Sequence, residues 1–135
     1  PKVAGVRFAT TNSGMRYKGR DDLLLAVMED GTSAAAVFTK NSMPGAPVDW
    51  GRKILPTGSA RALVVNAGIA NVFTGQAGID TVEQTAAATA DLLGCKPEEV
   101  SWCFVARRTG CKQHYTITSG CVTVHSYTVE AFLIP

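Results

Sequence analysis

The sequence predicts an α/β domain, and three features predict it. Asp22–Glu29 and Arg61–Asn66 are compact apolar runs of strand length, the second rich in β-branched residues. Asp80–Leu93 carries Val82, Ala86, Ala90 and Leu93 at helical spacing. Another apolar run, Val100–Ala106, follows that helix. Strand, helix, strand is the order expected of a sheet covered by helices. The 135 residues suffice for one domain with a core and are too few for two.

Taken in order, Asp22–Glu29 suits a strand buried on both faces, because its apolar run does not alternate. Asp30-Gly31 reads as a tight turn into a second strand, Ser33–Thr39, so the pair is expected to form a hairpin. Asn41–Pro47 is a connection rich in Pro and Gly. Pro47 suits the first turn of a short helix to about Leu55, since a first-turn residue needs no N–H partner. Pro56-Thr-Gly58 ends that helix. A loop with three glycines, Asn66–Gly78, separates the strand at 61–66 from the next helix. Asp80 and Glu83 have the spacing of a capping box at its start, and Gly94 is a natural residue just past its end. The many alanines between make a flat face for packing on a sheet. Trp50 and Phe38 read as core.

From Arg107 onward the texture changes to Thr, Ser, Cys, His and Tyr with no helical period. Thr116–Val124 has strand propensity alone. No internal repeat or low-complexity segment interrupts the chain.

Composition excludes several classes. Hydrophobic residues make up 46% and charged residues 18%, a globular balance. A net charge of +2, with basic residues scattered apart from Arg107-Arg108, argues against nucleic-acid binding. The longest apolar runs, 23–28 and 34–38, are far short of a membrane span. The first residues do not read as a secretory signal, so a cytoplasmic protein is expected. Cys95, Cys103, Cys111 and Cys121 lack Cys-x-x-Cys spacing and are expected to be free thiols. No metal site is expected.

Strand, glycine loop and helix form the layout of a phosphate cradle. Gly68, Gly75 and Gly78, however, have no lysine or arginine beside them, and no Gly-x-Gly-x-x-Gly occurs. The loop reads instead as a turn in which Asn66 and Asn71 bond backbone groups and glycines take positive φ, or as the lining of a ligand site. Cys111 with His114 is a conceivable nucleophile pair, but surface positions are the commoner outcome for His114 and His125. Asp21-Asp22, Glu29-Asp30 and Glu98-Glu99 lie at element edges, where solvated carboxylates are expected.

The ordered set of motifs is more specific. Gly-Arg-Asp-Asp-Leu (19–23), Ala-Ala-Val-Phe-Thr-Lys-Asn (35–41) and Ala-Pro-Val (46–48) come first. Arg-Ala-Leu-Val-Val-Asn-Ala-Gly-Ile-Ala-Asn-Val-Phe-Thr-Gly (61–75) and Leu-Gly-Cys-Lys-Pro-Glu-Glu-Val (93–100) follow. Over roughly residues 3 to 106 the chain closely resembles the N-terminal, α-chain part of the bifunctional ornithine acetyltransferase (glutamate N-acetyltransferase) family.

The resemblance implies a layered α/β sandwich with sheets between helices, of which this chain is a partial domain. It implies acetyl transfer from N-acetylornithine to glutamate in arginine biosynthesis, with acetyl-CoA as a co-substrate of some members and no bound cofactor. It implies a precursor that cleaves itself into α and β chains, the new N-terminal threonine of β being the nucleophile, and an α/β hetero-oligomer. The α chain supplies an oxyanion hole from a Thr-Gly pair after a strand, and Thr109-Gly110 stands in that place here. A threonine hydroxyl and a glycine N–H suit the role, each such donor being worth ~3–4 kcal/mol of barrier.

Departures are equally definite. The family runs from a short strand into Ser-Thr-Gly-Val-Ile-Gly, whereas this chain has extra residues, Arg108 in place of the serine, and an unlike sequence after Gly110. Neither the nucleophilic threonine nor its cleavage segment occurs. The expected organisation is therefore an acetyltransferase-like region at 1–106 and a divergent tail at 107–135, translated out of the ancestral frame from about residue 101. This chain alone is expected to be inactive, and to be poorly soluble or self-associating. The alternatives are a non-catalytic remnant that binds a partner, or an aminopeptidase of the same layered fold with an N-terminal nucleophile.

Overall fold

Leu23–Met28 is apolar at every position, and it becomes an interior strand. A computed structural model of the chain describes residues 4–16, 18–38, 40–105, 115–118, 121–124 and 129–134. The strands are β1 (Val6–Thr11), β2 (Leu23–Met28), β3 (Ser33–Phe38), β4 (Ala62–Ala67), β5 (Val100–Val105), β6 (Tyr115–Thr118), β7 (Cys121–Val124) and β8 (Val129–Ile134). The helices are α1 (Ala46–Ile54) and α2 (Gly75–Leu93), with short 3-10 turns at Leu55–Thr57 and Pro97–Glu99. The main sheet has the order β1-β2-β4-β5. Its first two pairings are antiparallel, and β4 pairs with β5 in parallel across the α2 crossover.

Side chains of β2 and β4 alternate between two cores. Leu23, Leu25, Ala62 and Val64 face the helices and pack with Trp50, Ile54, Val82, Ala86, Ala90 and Val100. Leu24, Ala26, Met28, Leu63 and Val65 form the opposite cluster, joined by Val6 and Ala34. The small residues of α2 lie on the sheet as their spacing predicts, with Leu93 at the margin. The strand at 61–66, the helix from Pro47 and the strand from Val100 all stand where the sequence puts them.

Four expectations need correction. The first is the hairpin: β2 does not pair with β3. Asp30 and Gly31 do turn the chain, with Gly31 at φ 81, but both edges of β2 are occupied, by β1 and β4. β3 leaves that sheet and pairs with β8. Two bonds lash the start of β3 to the approach to β4: Ala34 N–H to Gly58 O (2.9 Å) and Ala60 N–H to Thr32 O (3.0 Å).

The second is the capping box. α2 begins at Gly75, so Asp80 lies inside it and accepts from Gln76 Nε2 at 2.7 Å. Glu83 pairs instead with Lys53 of α1 at 3.0 Å. The end of the helix matches its expectation: Gly94 takes φ 66 and the Cys95 N–H returns to Ala90 O.

The third is Phe38, which is half-buried rather than core, with the Arg52 guanidinium 6.0 Å from its ring centroid. The fourth is Asp22, described below. The sequence also hides β1, an edge strand whose residues after Val6 are all exposed and so lack an apolar pattern.

Candidate functional site

The register places four chain segments at one end of the main sheet. Thr11 lies opposite Leu23, Leu23 opposite Asn66, and Asn66 beside Phe104. The carboxyl ends of parallel β4 and β5 therefore meet the 12–22 loop and the loop that leads into α2. In open α/β sheets, ligands bind at such carboxyl ends.

Asn66, the penultimate residue of β4, has only 4% of its surface exposed. Its Nδ2 donates to Ile69 O at 2.8 Å and folds the loop back on the strand. Gly68, at φ 94, supplies the left-handed step that this turn requires. Asn71 then ties three elements together. Its Nδ2 donates to Gly78 O at 2.8 Å, its Oδ1 accepts from the Thr74 hydroxyl, and its carbonyl accepts from the Ala46 N–H at 3.0 Å. Gly78 is the contact that makes this knot fit. A Cβ there would overlap Thr74 Oγ1 and lie 2.5 Å from Asn71 Oδ1. Both asparagines thus bond backbone groups, as their positions predict. The glycines divide: Gly68 and Gly75 take positive φ, while Gly78 is required for close approach.

Asp22 corrects the expectation of a solvated carboxylate, being 2% exposed. Its Oδ1 accepts from the Ser13 N–H at 2.6 Å and the Ser13 hydroxyl at 2.7 Å. The Ser13 hydroxyl and then the Ser13 amide hold its carboxyl below the usual value, against the opposing effect of burial. Its carbonyl accepts from the Ala67 N–H at 2.8 Å. Asp22 therefore fastens the 12–22 loop to the end of β4. Its neighbour Asp21 is exposed and accepts from the Thr10 hydroxyl. An ionisable residue abutting a strand that is apolar on both faces is the signal that would have marked Asp22 in the sequence.

Two buried oxygens at this edge, Asp22 Oδ2 and Asn66 Oδ1, have no hydrogen-bond partner among the described residues. Both are acceptors, so the edge is suited to N–H and O–H donors. Among the described residues no three His, Cys, Asp or Glu side chains come together as metal ligands. No described helix is long and apolar enough to cross a membrane. Cys95 is a half-buried free thiol whose pKa is raised, by burial first and by Glu99 second. Thr109, Gly110, Cys111, His114 and His125 lie outside the described residues.

A mixed sheet with helices packed on one face, and a glycine-punctuated loop at the carboxyl ends of its parallel strands, defines a layered α/β protein with a ligand-type edge. The chain belongs to the ArgJ family, whose model matches residues 7–111. It is 58% identical over 98 residues to the arginine biosynthesis bifunctional protein ArgJ of Gluconobacter oxydans, covering 73% of this chain and 23% of that protein. The corresponding protein of Bradyrhizobium diazoefficiens is 53% identical over 100 residues, covering 74% and 24%. The chain thus spans about a quarter of the length of these curated relatives.

Solved structures agree. Arginine biosynthesis bifunctional protein ArgJ from Bacillus halodurans superposes with a TM-score of 0.72 at 29% identity, over 80% of this chain and 56% of that one. Ornithine acetyltransferase from Mycobacterium tuberculosis, complexed with ornithine, gives 0.65 at 34% identity, over 82% and 60%.

Proposed function

We propose that this chain is the α-chain part of an acetyltransferase of arginine biosynthesis, which moves an acetyl group from N-acetylornithine to glutamate. The observation that carries the proposal is the family match over residues 7–111, a span that includes Thr109 and Gly110. The ordered motifs from Gly19 to Val100 support it. So does the edge geometry, because β4 and β5 end side by side at the edge that carries Asn66 and the α2 loop, and Thr109-Gly110 follow β5 in the sequence.

The nucleophile belongs to a second chain in this proposal. Chain lengths support the division. The chain matches 56% of the solved Bacillus halodurans chain but only 23% of the Gluconobacter oxydans polypeptide, over a similar number of residues. The solved chain is therefore less than half as long as that polypeptide, as expected of one product of a cleaved precursor.

The chemistry proceeds in two halves. The β-chain threonine hydroxyl, relieved of its proton by its own α-amine, attacks the acetyl carbonyl of N-acetylornithine. Thr109 Oγ1 and the Gly110 N–H donate to the oxygen as it becomes an oxyanion. The amide C–N bond breaks, ornithine leaves carrying the proton, and the acetyl group remains as an ester on threonine. The glutamate amine then attacks that ester, N-acetylglutamate leaves and the threonine is restored. Acetyl-CoA enters, where used, as a donor in the first half. The assembly is an α/β hetero-oligomer in the cytoplasm, and this chain alone is inactive.

Co-expression with a family β chain, followed by an assay of acetyl transfer from N-acetylornithine to glutamate, tests the proposal. Recovered activity supports it. A stable complex without activity favours the non-catalytic remnant, which the departure of the sequence after Gly110 makes the second reading. Activity from this chain by itself would overturn the two-chain account. The competing proposal is that residues from about 101 are translated out of the ancestral frame, in which case Thr109-Gly110 is not the family's pair. DNA sequencing that finds one clean frame, with no family-like alternative, would remove this part.

A further inference from the structure

The end of the main sheet opposite Asn66, where β2 stops and β4 begins, carries a cavity of about 290 Å³. Backbone bonds fix two of the charged residues that line it. The Glu29 N–H donates to Gly5 O at 3.0 Å, Arg61 O accepts from the Met28 N–H at 2.9 Å, and the Arg61 N–H donates to Glu99 O at 2.8 Å. The Glu29 carboxylate rests over bare backbone, since a Cβ at Gly5 would lie 3.4 Å from its Oε2. No ion pair among the described residues involves Glu29. Arg61 Nη1 meets Asp30 Oδ1 at 2.9 Å, yet its buried Nε has no acceptor. A buried donor left without an acceptor is an exception that calls for a cause. Val6 and Val27, both half-buried, add an apolar wall.

We propose that this cavity binds a free α-amino acid with an aliphatic side chain. Its carboxylate takes the Nε edge of Arg61, because a guanidinium matches a carboxylate through two parallel N–H groups. Its ammonium is held by Glu29, and its side chain lies on Val6 and Val27. Charge selects this class of ligand. Arg7 and Arg61 are balanced in the lining by Glu29 and Asp30. A phosphate dianion would meet two carboxylates, and a simple cation would meet two arginines, whereas a zwitterion finds a partner at each end. Nε is covered in the free chain, so binding draws the guanidinium off Asp30. That step costs little, because the Asp30 side chain is 90% exposed. The inference does not depend on the acetyl-transfer reading.

The test titrates three compounds into the isotope-labelled full chain and follows the Arg61 Nε–H resonance by NMR. They are norvaline, pentanoate (the same carbon chain without the amine) and butylamine (the same without the carboxylate). Norvaline should shift that resonance saturably and bind at least tenfold more tightly than either of the others. Glu29→Gln, a change at an exposed position, should lower norvaline affinity to that of pentanoate and leave pentanoate unaffected. Arg61→Lys keeps the charge without the fork, and should weaken norvaline at least tenfold by calorimetry. Asp30→Asn should bind no more weakly than the native chain. Absence of a saturable shift would overturn the proposal. So would equal affinity for norvaline and pentanoate, or norvaline binding indifferent to Glu29→Gln. Should Arg61→Lys fail to fold, Glu29→Gln and the three compounds decide the matter alone.

Discussion

The indole Nε1 of Trp50 donates to the carbonyl of Val100 at 2.9 Å, joining residues fifty positions apart in a buried setting. Trp50 lies on α1 and Val100 opens β5, so this bond anchors the helix to the parallel edge of the main sheet. Trp50 is 7% exposed and Val100 fully buried.

Trp50→Phe should therefore keep most of the packing but strand the Val100 carbonyl. The expected loss is about 1–3 kcal/mol. Trp50→Ala removes the ring too and should cost roughly 3–5 kcal/mol. Urea unfolding monitored by circular dichroism checks both, and equal stability of Trp50→Phe and the native chain would remove the bond from the account.

Gly78→Ala separates helix propensity from close packing. Propensity alone favours alanine in a helix by about 1 kcal/mol. The new Cβ would instead overlap Thr74 Oγ1 and press on Asn71 Oδ1. A net destabilisation of about 1–3 kcal/mol is expected. A rise in melting temperature would show that the Asn71 knot yields freely.

Acid should weaken the attachment of the 12–22 loop. The folded-state pKa of Asp22 is lowered, chiefly by the Ser13 hydroxyl and then by its amide. A depressed carboxyl stabilises the fold at pH above its unfolded value, ordinarily 3.8, and that contribution is lost as the pH falls through the folded value. Ser13→Ala should raise the Asp22 pKa and move acid unfolding to higher pH. NMR titration of the Asp22 carboxyl reads the shift directly, and an unchanged value in Ser13→Ala would refute the assignment of its cause.

If the proposed two-chain assembly forms, Thr109→Ala should lower its kcat by roughly 10²–10³ with little change in KM, the signature of a donor that acts on the oxyanion. Thr109→Ser should restore most of the rate. Steady-state kinetics with N-acetylornithine and glutamate make the comparison. A KM effect alone would make Thr109 a binding residue.

Much of this protein can be read along the chain. β4, α2 and β5 announce themselves through run length and period, and Gly94 through its place after a periodic segment, because these signals are local. The ordered motifs from Gly19 to Val100 identify the family for the same reason. Pairing is not local. The turn at Asp30-Gly31 is real, but only the competition for the edges of β2 decides that β1 and β4 take them and β3 goes elsewhere.

Burial of charge is not local either. Asp21 and Asp22 are adjacent and chemically identical, and the tertiary contacts of the second, its carboxylate with Ser13 and its backbone with Ala67, make it a buried anchor. The sequence by itself determined the helix periods, the strand runs and the family. Tertiary structure alone decided which strand edges meet, and that Asp22, Asn66 and Asn71 gather at one end of the sheet. The physical reason is that propensity and periodicity act over a few bonds, while pairing and desolvation depend on segments that folding brings together from across the chain.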